Sequence, residues 1–300
     1  MFAITGASGN TGGTAADKLL AQGERVRVIG RDAGRLARFV QKGAEAFTAE
    51  ITDAEALARA FDGARGVYAL VPPNITSADV RAYQEAVSDA LTSAFAKASI
   101  SHAVVLSSVG ADKSEKTGPV VGLHNLEQRL NGVSGLNAVY LRAGYFMENL
   151  LPQVQVIRNF GIVGGPVRPD LKLPLIATRD IGAVAADLLR GRAFAGKQSR
   201  ELLGQRDVTY TEIASVIGQT IGKPDLAYSQ LPAEQLKGAL VQMGMSANMA
   251  DLILEMADAL NSGHMTALEP RSGENATPTS IENFLAEEFV PRFQGKAAGA

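Results

Sequence analysis

Residues 1–32 read MFAITGASGNTGGTAADKLLAQGERVRVIGRD, and the fold is decided there. Residues 2–5 form a short apolar run that reads as a buried strand, 11–21 carry helical periodicity closed by Gly23, and 25–30 form a second apolar run. Between the first strand and the helix lies Gly6-Ala7-Ser8-Gly9-Asn10-Thr11-Gly12, with the spacing GxxGxxG. Glycines there permit a tight turn and close backbone approach, while the free amides and dipole of a helix start favour an anion. Gly6, Ser8, Gly9, Asn10, Thr11 and Gly12 are therefore candidates for cradling a nucleotide pyrophosphate. The competing reading is a glycine-rich connection that holds no ligand.

Outward from this stretch the alternation continues. Asp32 reads as an N-cap ahead of the stripe Leu36, Phe39, Val40, with Gly43 as a left-handed stop. Residues 46–49 read as strand three, a helix capped by Asp53 runs to Phe61, and 66–71 is strand four. Thr76 or Ser77 opens a long helix; strand five is 102–108, a helix covers 123–130, and strand six is 138–142. Strands joined by helices imply an α/β fold, a doubly wound parallel sheet with helices on both faces. The second half is less regular, with short strands at 162–167 and 173–177, a helix capped by Asp180, and mostly helix from Thr209 onward. The expected division is a nucleotide-binding domain at 1–150, with 175–205 returning to it. Residues 151–174 and 206–293 form a smaller, mainly helical substrate lobe, and 294–300 a frayed tail.

The end of the second strand reports on the nucleotide. A site for NAD usually carries an acidic residue there to bind the ribose, whereas this chain has Gly30 and Arg31. Arg31 and Arg35, with Arg38 behind them, suit a 2′-phosphate and so favour NADP(H) over NAD(H). Asp32 dissents, since its carboxylate serves a ribose as well as it serves a helix cap.

Composition excludes several classes. The 300 residues carry 29 Lys and Arg against 31 Asp and Glu, so no overall field would hold a nucleic acid. With no cysteine there is no disulfide, thiolate metal site or cysteine nucleophile. Three scattered histidines, His102, His124 and His264, make no metal site. The start lacks an apolar leader and no run reaches the ~20 apolar residues of a membrane span. A cytoplasmic protein without a membrane partner is expected.

The loop GASGNTG, the strand end VRVIGRD, and the segments LSSVGAD, LRAGYFMEN and RDIGAVAADLL together resemble the NmrA-like branch of atypical short-chain dehydrogenases. The resemblance runs through TEIASVIG to PTSIENFL, nearly the whole chain. It implies a Rossmann-like NAD(P)-binding sheet with a small substrate lobe. It also implies one of two roles: NADPH-dependent reduction of quinones, triphenylmethane dyes or related electrophiles, or non-catalytic redox sensing with a protein partner. By the same resemblance Arg31 and Arg35 are the 2′-phosphate pair, Glu50 and Ile51 lie near adenine, and Val71, Pro72 and Pro73 pass the ribose. Ser107 and Ser108 lie near the nicotinamide, which Tyr145, Phe146 and Asn149 approach, the last with Tyr145 also facing substrate.

One departure shapes the chemistry: no tyrosine has a lysine four residues later, so the Tyr-x-x-x-Lys dyad of short-chain dehydrogenases is missing. Hydride transfer to a conjugated acceptor needs little beyond orientation and exclusion of water. The expected function is thus transfer of hydride from NADPH to a quinone-like or other conjugated small electrophile, the alternative being an NADP(H)-sensing regulator. His124 is the candidate proton donor, against its plainer role as a helix-start residue. Gly6-x-Ser8 lacks the pattern of a hydrolase elbow. Met243, Met245, Met249 and Met256 read as core filling or as a pliable wall for flat substrates. Glu148 reads as a cap or as half of a buried hydrogen-bonded pair.

Overall fold

The computed structural model describes residues 1–295. β1 (Phe2–Thr5) is buried along its whole length, as an uninterrupted apolar run in a doubly covered sheet requires. α1 (Asn10–Ala21), β2 (Val26–Gly30) and α2 (Ala33–Val40) follow, and the Asp32 carboxylate caps α2 by accepting from the Gly34 amide at 2.7 Å. Next come β3 (Glu45–Thr48), α3 (Ala54–Phe61), β4 (Gly66–Ala69) and α4 (Val80–Lys97). β5 (His102–Ser108), α5 (Val120–Asn131) and β6 (Asn137–Ala143) complete the alternation. α4 starts later than Thr76 or Ser77. The Asp79 carboxylate takes the cap by accepting from Ala82 at 2.9 Å, while the Ser77 hydroxyl donates to the Asp79 carbonyl. α5 in turn starts three residues before Leu123.

Past β6 the chain leaves the sheet through β7 (Tyr145–Phe146), a 3-10 turn at Met147–Leu150, α6 (Gln153–Phe160) and β8 (Val163–Gly165). β9 (Leu173–Ile176), α7 (Thr178–Gly191), β10 (Lys197–Leu202) and β11 (Asp207–Val208) come next. α8 (Tyr210–Ile221), β12 (Tyr228–Gln230), α9 (Ala233–Gln242) and α10 (Ala247–Asn261) precede a final turn of α11 (Ile281–Phe284), a π-helical turn at Leu285–Phe289 and α12 (Val290–Phe293).

The large sheet has the order β10-β6-β5-β4-β1-β2-β3, and every neighbouring pair is parallel. This is the Rossmann-like doubly wound arrangement. Strand order reverses between β1 and β4, and a crevice opens beyond their carboxyl ends. The return to this sheet is made by β10, which pairs with β6, while β9 joins a separate sheet of order β11-β9-β7. α7 reaches α1 because Gly182 has no side chain: a Cβ there would lie 2.5 Å from the Thr11 carbonyl oxygen.

Asp180 is not the N-cap of α7. That position is Ala177, and the Asp180 carboxylate, buried inside the first turn, accepts from the Thr279 amide at 3.0 Å and hydroxyl at 2.7 Å. Leu19, Leu36 and Phe39 fill one face of the sheet and Leu57, Phe61 and Phe95 the other, and a third apolar cluster surrounds Met147, Ile213 and Phe284. No described helix is long and apolar enough to cross a membrane. Of the expected tail at 294–300, only its first two residues fall within the described range.

Candidate functional site

A cleft of about 1130 Å³ opens at the carboxyl ends of β1 and β4. Its first end is the loop joining β1 to α1. Gly6 turns the chain in the left-handed region (φ +62°), and the Gly9 amide donates to the Gly6 carbonyl at 2.9 Å. A Cβ on Gly12 would stand 2.6 Å from the Gly6 oxygen and 2.8 Å from the Thr5 oxygen, so only glycine lets α1 begin this close to β1. α1 has no side-chain cap and no acidic residue in its first turn, which leaves its amides and positive dipole end to an anion. Gly6, Ser8, Gly9, Asn10 and Thr11 line the cleft, while Gly12 lies beneath them and contributes packing.

Arg31 and Arg35 are exposed on the same rim, and the Arg35 guanidinium donates to the Ser8 carbonyl at 3.1 Å, bracing α2 against the loop. Arg38 does not join them. It pairs with Asp17 of α1 at 3.0 Å and stacks on the Phe39 ring at 4.0 Å, so the cluster is two arginines, not three. Asp32 is occupied by its cap. Ile51, Val71, Pro72, Pro73 and Tyr83 wall an apolar slot next to the arginines, whereas Glu50 is exposed and outside the lining.

At the far end stand Ser107 and Ser108, from the tip of β5, with Tyr145, Phe146 and Asn149 opposite. Ser107 is buried, and its hydroxyl donates to Glu127 Oε1 at 2.6 Å. Arg142 grips the same carboxylate, Nε to Oε1 at 3.1 Å and Nη2 to Oε2 at 2.6 Å. Glu148 lines the cleft and caps α7, its carboxylate accepting from the Thr178 amide at 3.0 Å and hydroxyl at 2.5 Å. Burial pushes the Glu148 carboxyl above its ordinary range, partly offset by the bonds from Thr178. The Glu148 carboxylate thus both satisfies an amide at the start of α7 and pairs with the Thr178 hydroxyl.

His124 lies in the second turn of α5, its Nδ1 2.9 Å from the Ala111 carbonyl oxygen, and it is not among the residues lining the cleft. Met249 and Met256 do line it, joined by Met265; Met243 is 66% exposed, so it is neither core nor wall.

Sequence reasoning missed the strap at residues 265–271, which closes one side of the cleft. The buried Glu201 carboxylate holds it, accepting from the Leu268 amide at 3.0 Å and the Glu269 amide at 2.9 Å. Arg271 adds a bond to the Leu203 carbonyl at 2.8 Å. These residues have no periodicity; the one available signal was Glu201 directly ahead of the apolar Leu202 and Leu203. The whole is an anion-ready half continuous with a half lined by Met249, Met256 and Met265, a shape suited to a dinucleotide.

The chain belongs to the NmrA-like family, whose model matches residues 1–288. It is 26% identical over 258 residues to the NAD(P)H azoreductase of Xenophilus azovorans, a match that covers 85% of this chain and 86% of that protein. Among solved structures it resembles the triphenylmethane reductase of Citrobacter sp., with a TM-score of 0.80 at 17% identity over 95% of this chain and 98% of the other. It also resembles the NADPH-dependent quinone oxidoreductase of Escherichia coli in complex with NADPH, with a TM-score of 0.74 at 21% identity over 100% and 96% of the two chains.

Proposed function

We propose that this NmrA-like protein binds NADP(H) in the cleft and reduces a conjugated small electrophile of the quinone or dye type. The observation that carries the reading is the continuity of one cleft, from the uncapped start of α1 with Arg31 and Arg35 to the wall of Met249, Met256 and Met265. The reductase names of the relatives support it. Gly6, Ser8, Gly9, Asn10 and Thr11 would take the pyrophosphate, Arg31 and Arg35 the 2′-phosphate, and Ile51, Val71 and Pro72 the adenosine. Ser107, Ser108, Tyr145 and Phe146 would flank the nicotinamide, with Tyr145 and Asn149 reaching substrate. When bound, the reduced nicotinamide supplies the hydride. The chain's own part is to orient the two reactants, exclude water and neutralise the charge that develops. His124, turned to a backbone carbonyl outside the lining, has no place in this scheme. The test is NADPH consumption with a panel of quinones, azo dyes and triarylmethane dyes. Turnover with at least one class is expected; cofactor binding without turnover on any of them would contradict the reading.

A further inference from the structure

Resting on that reading, the polar bookkeeping of the cleft identifies a proton donor. Most hydroxyls at this end are already turned toward the protein. Ser107 donates to Glu127, Ser108 to the Val109 carbonyl at 2.9 Å, Thr5 to the Tyr68 carbonyl at 3.2 Å and Thr178 to Glu148. Each of these can accept from a ligand, but its proton is engaged.

Tyr145 differs. Its hydroxyl lies 3.1 Å from that of Tyr210, and the two rings meet edge to face at 6.4 Å. Tyr210 is 3% exposed, and its other aromatic neighbour, Tyr228, stacked at 4.6 Å, donates its own hydroxyl to the Val167 carbonyl. Among the described residues Tyr145 is the hydrogen-bond partner of the Tyr210 hydroxyl, and a buried hydroxyl proton left unbonded is costly. Tyr210 therefore donates and the Tyr145 oxygen accepts. Tyr145 donates no hydrogen bond among the described residues and it lines the cleft, so its proton is the one left to offer a ligand.

We infer that Tyr145 is the catalytic acid for acceptors that need a proton as well as a hydride, with Tyr210 as its positioning residue. The balance is simple. When a quinone takes up the hydride lost from the C–H bond of the nicotinamide, the electron pair leaves a negative charge on a quinone oxygen. The O–H bond of Tyr145 breaks, its proton forms the new O–H bond of the product, and water entering the cleft returns a proton to the phenolate. An azo acceptor has the same need at its second nitrogen. A triarylmethane dye is already a cation, so hydride alone gives the neutral product and no proton is consumed. Enclosure pushes the Tyr145 phenol up from its ordinary range, and hydrogen bonds from Tyr210 and Asn149 offset part of that rise.

This chemistry gives a test that a merely structural role would not pass. Turnover of Tyr145→Phe is measured with a quinone, an azo dye and a triarylmethane dye, with NADPH affinity read by fluorescence. The expected result is a quinone-to-triarylmethane ratio of kcat that falls roughly hundredfold or more, with NADPH affinity retained. An equal loss on all three acceptors, or none, would overturn the assignment while leaving the reductase reading intact. So would a shift of the same ratio in Lys172→Gln, whose exposed ammonium is the rival donor on the rim. Absence of turnover in the unmodified protein would overturn both.

Discussion

Adjacent residues on one strand end take opposite duties. Asp32 and Arg31 compete in the sequence to decide which nucleotide fits, and the geometry gives Asp32 to the first turn of α2, leaving Arg31 at the cleft rim. A guanidinium there rewards a 2′-phosphate, and a charge-assisted bond of this kind contributes roughly 1.5–3 kcal/mol. Arg31→Ala should therefore weaken NADP by about tenfold to a hundredfold and NAD by much less, measured by titration calorimetry. Equal losses for both nucleotides would remove Arg31 from the specificity account. Arg38 shows why counting arginines misleads: one turn beyond Arg35, the carboxylate of Asp17 claims it.

At the level of elements, buried charge does the joining. Glu127 of α5 takes two bonds from Arg142 of β6 and one from Ser107 of β5, and thereby locks a helix to two strands directly under the cleft. Removing one member strands the other: Glu127→Ala should cost about 3–5 kcal/mol in chemical denaturation, well above an ordinary surface change. A loss within ~0.5 kcal/mol would mean that Arg142 finds water or another acceptor. Helix starts were legible at Asp32 and Asp53, where a local cap leads the apolar stripe. They were misread at Asp180, whose partner Thr279 lies 99 residues away, and at α4, where Thr76 and Ser77 precede the true cap, Asp79.

Across the whole molecule, the order of strands and helices in the first half of the chain could be read because each carries its own period, although α4 and α5 start elsewhere than the pattern suggests. The order of the sheet follows from the handedness of those units. The cofactor half of the cleft was legible for the same reason: Gly6, Gly9, Arg31 and Arg35 lie within one β-α-β unit. The other half was legible only in part: the resemblance put Ser107, Ser108, Tyr145, Phe146 and Asn149 there, and they line the cleft with Met249 and Met256, but the bonds that hold this end together were not. Tyr145 and Tyr210 stand 65 residues apart, Glu127 and Ser107 are 20 apart, and the strap at 265–271 hangs from Glu201. Such pairings come from packing and leave no local pattern. His124 belongs to the helix at the cofactor end, but its ring nitrogen faces the Ala111 carbonyl. The near balance of 29 basic and 31 acidic residues likewise concealed a rim where two arginines stand together. The claim that unites these levels is that hydride passes within the cleft from NADPH to a conjugated acceptor. Its most direct measurement is turnover of a triarylmethane dye with NADPH deuterated at the transferred C4 position, followed by mass spectrometry of the product. One deuterium per reduced dye is the expected result; product carrying only solvent hydrogen, or no product, would contradict the account.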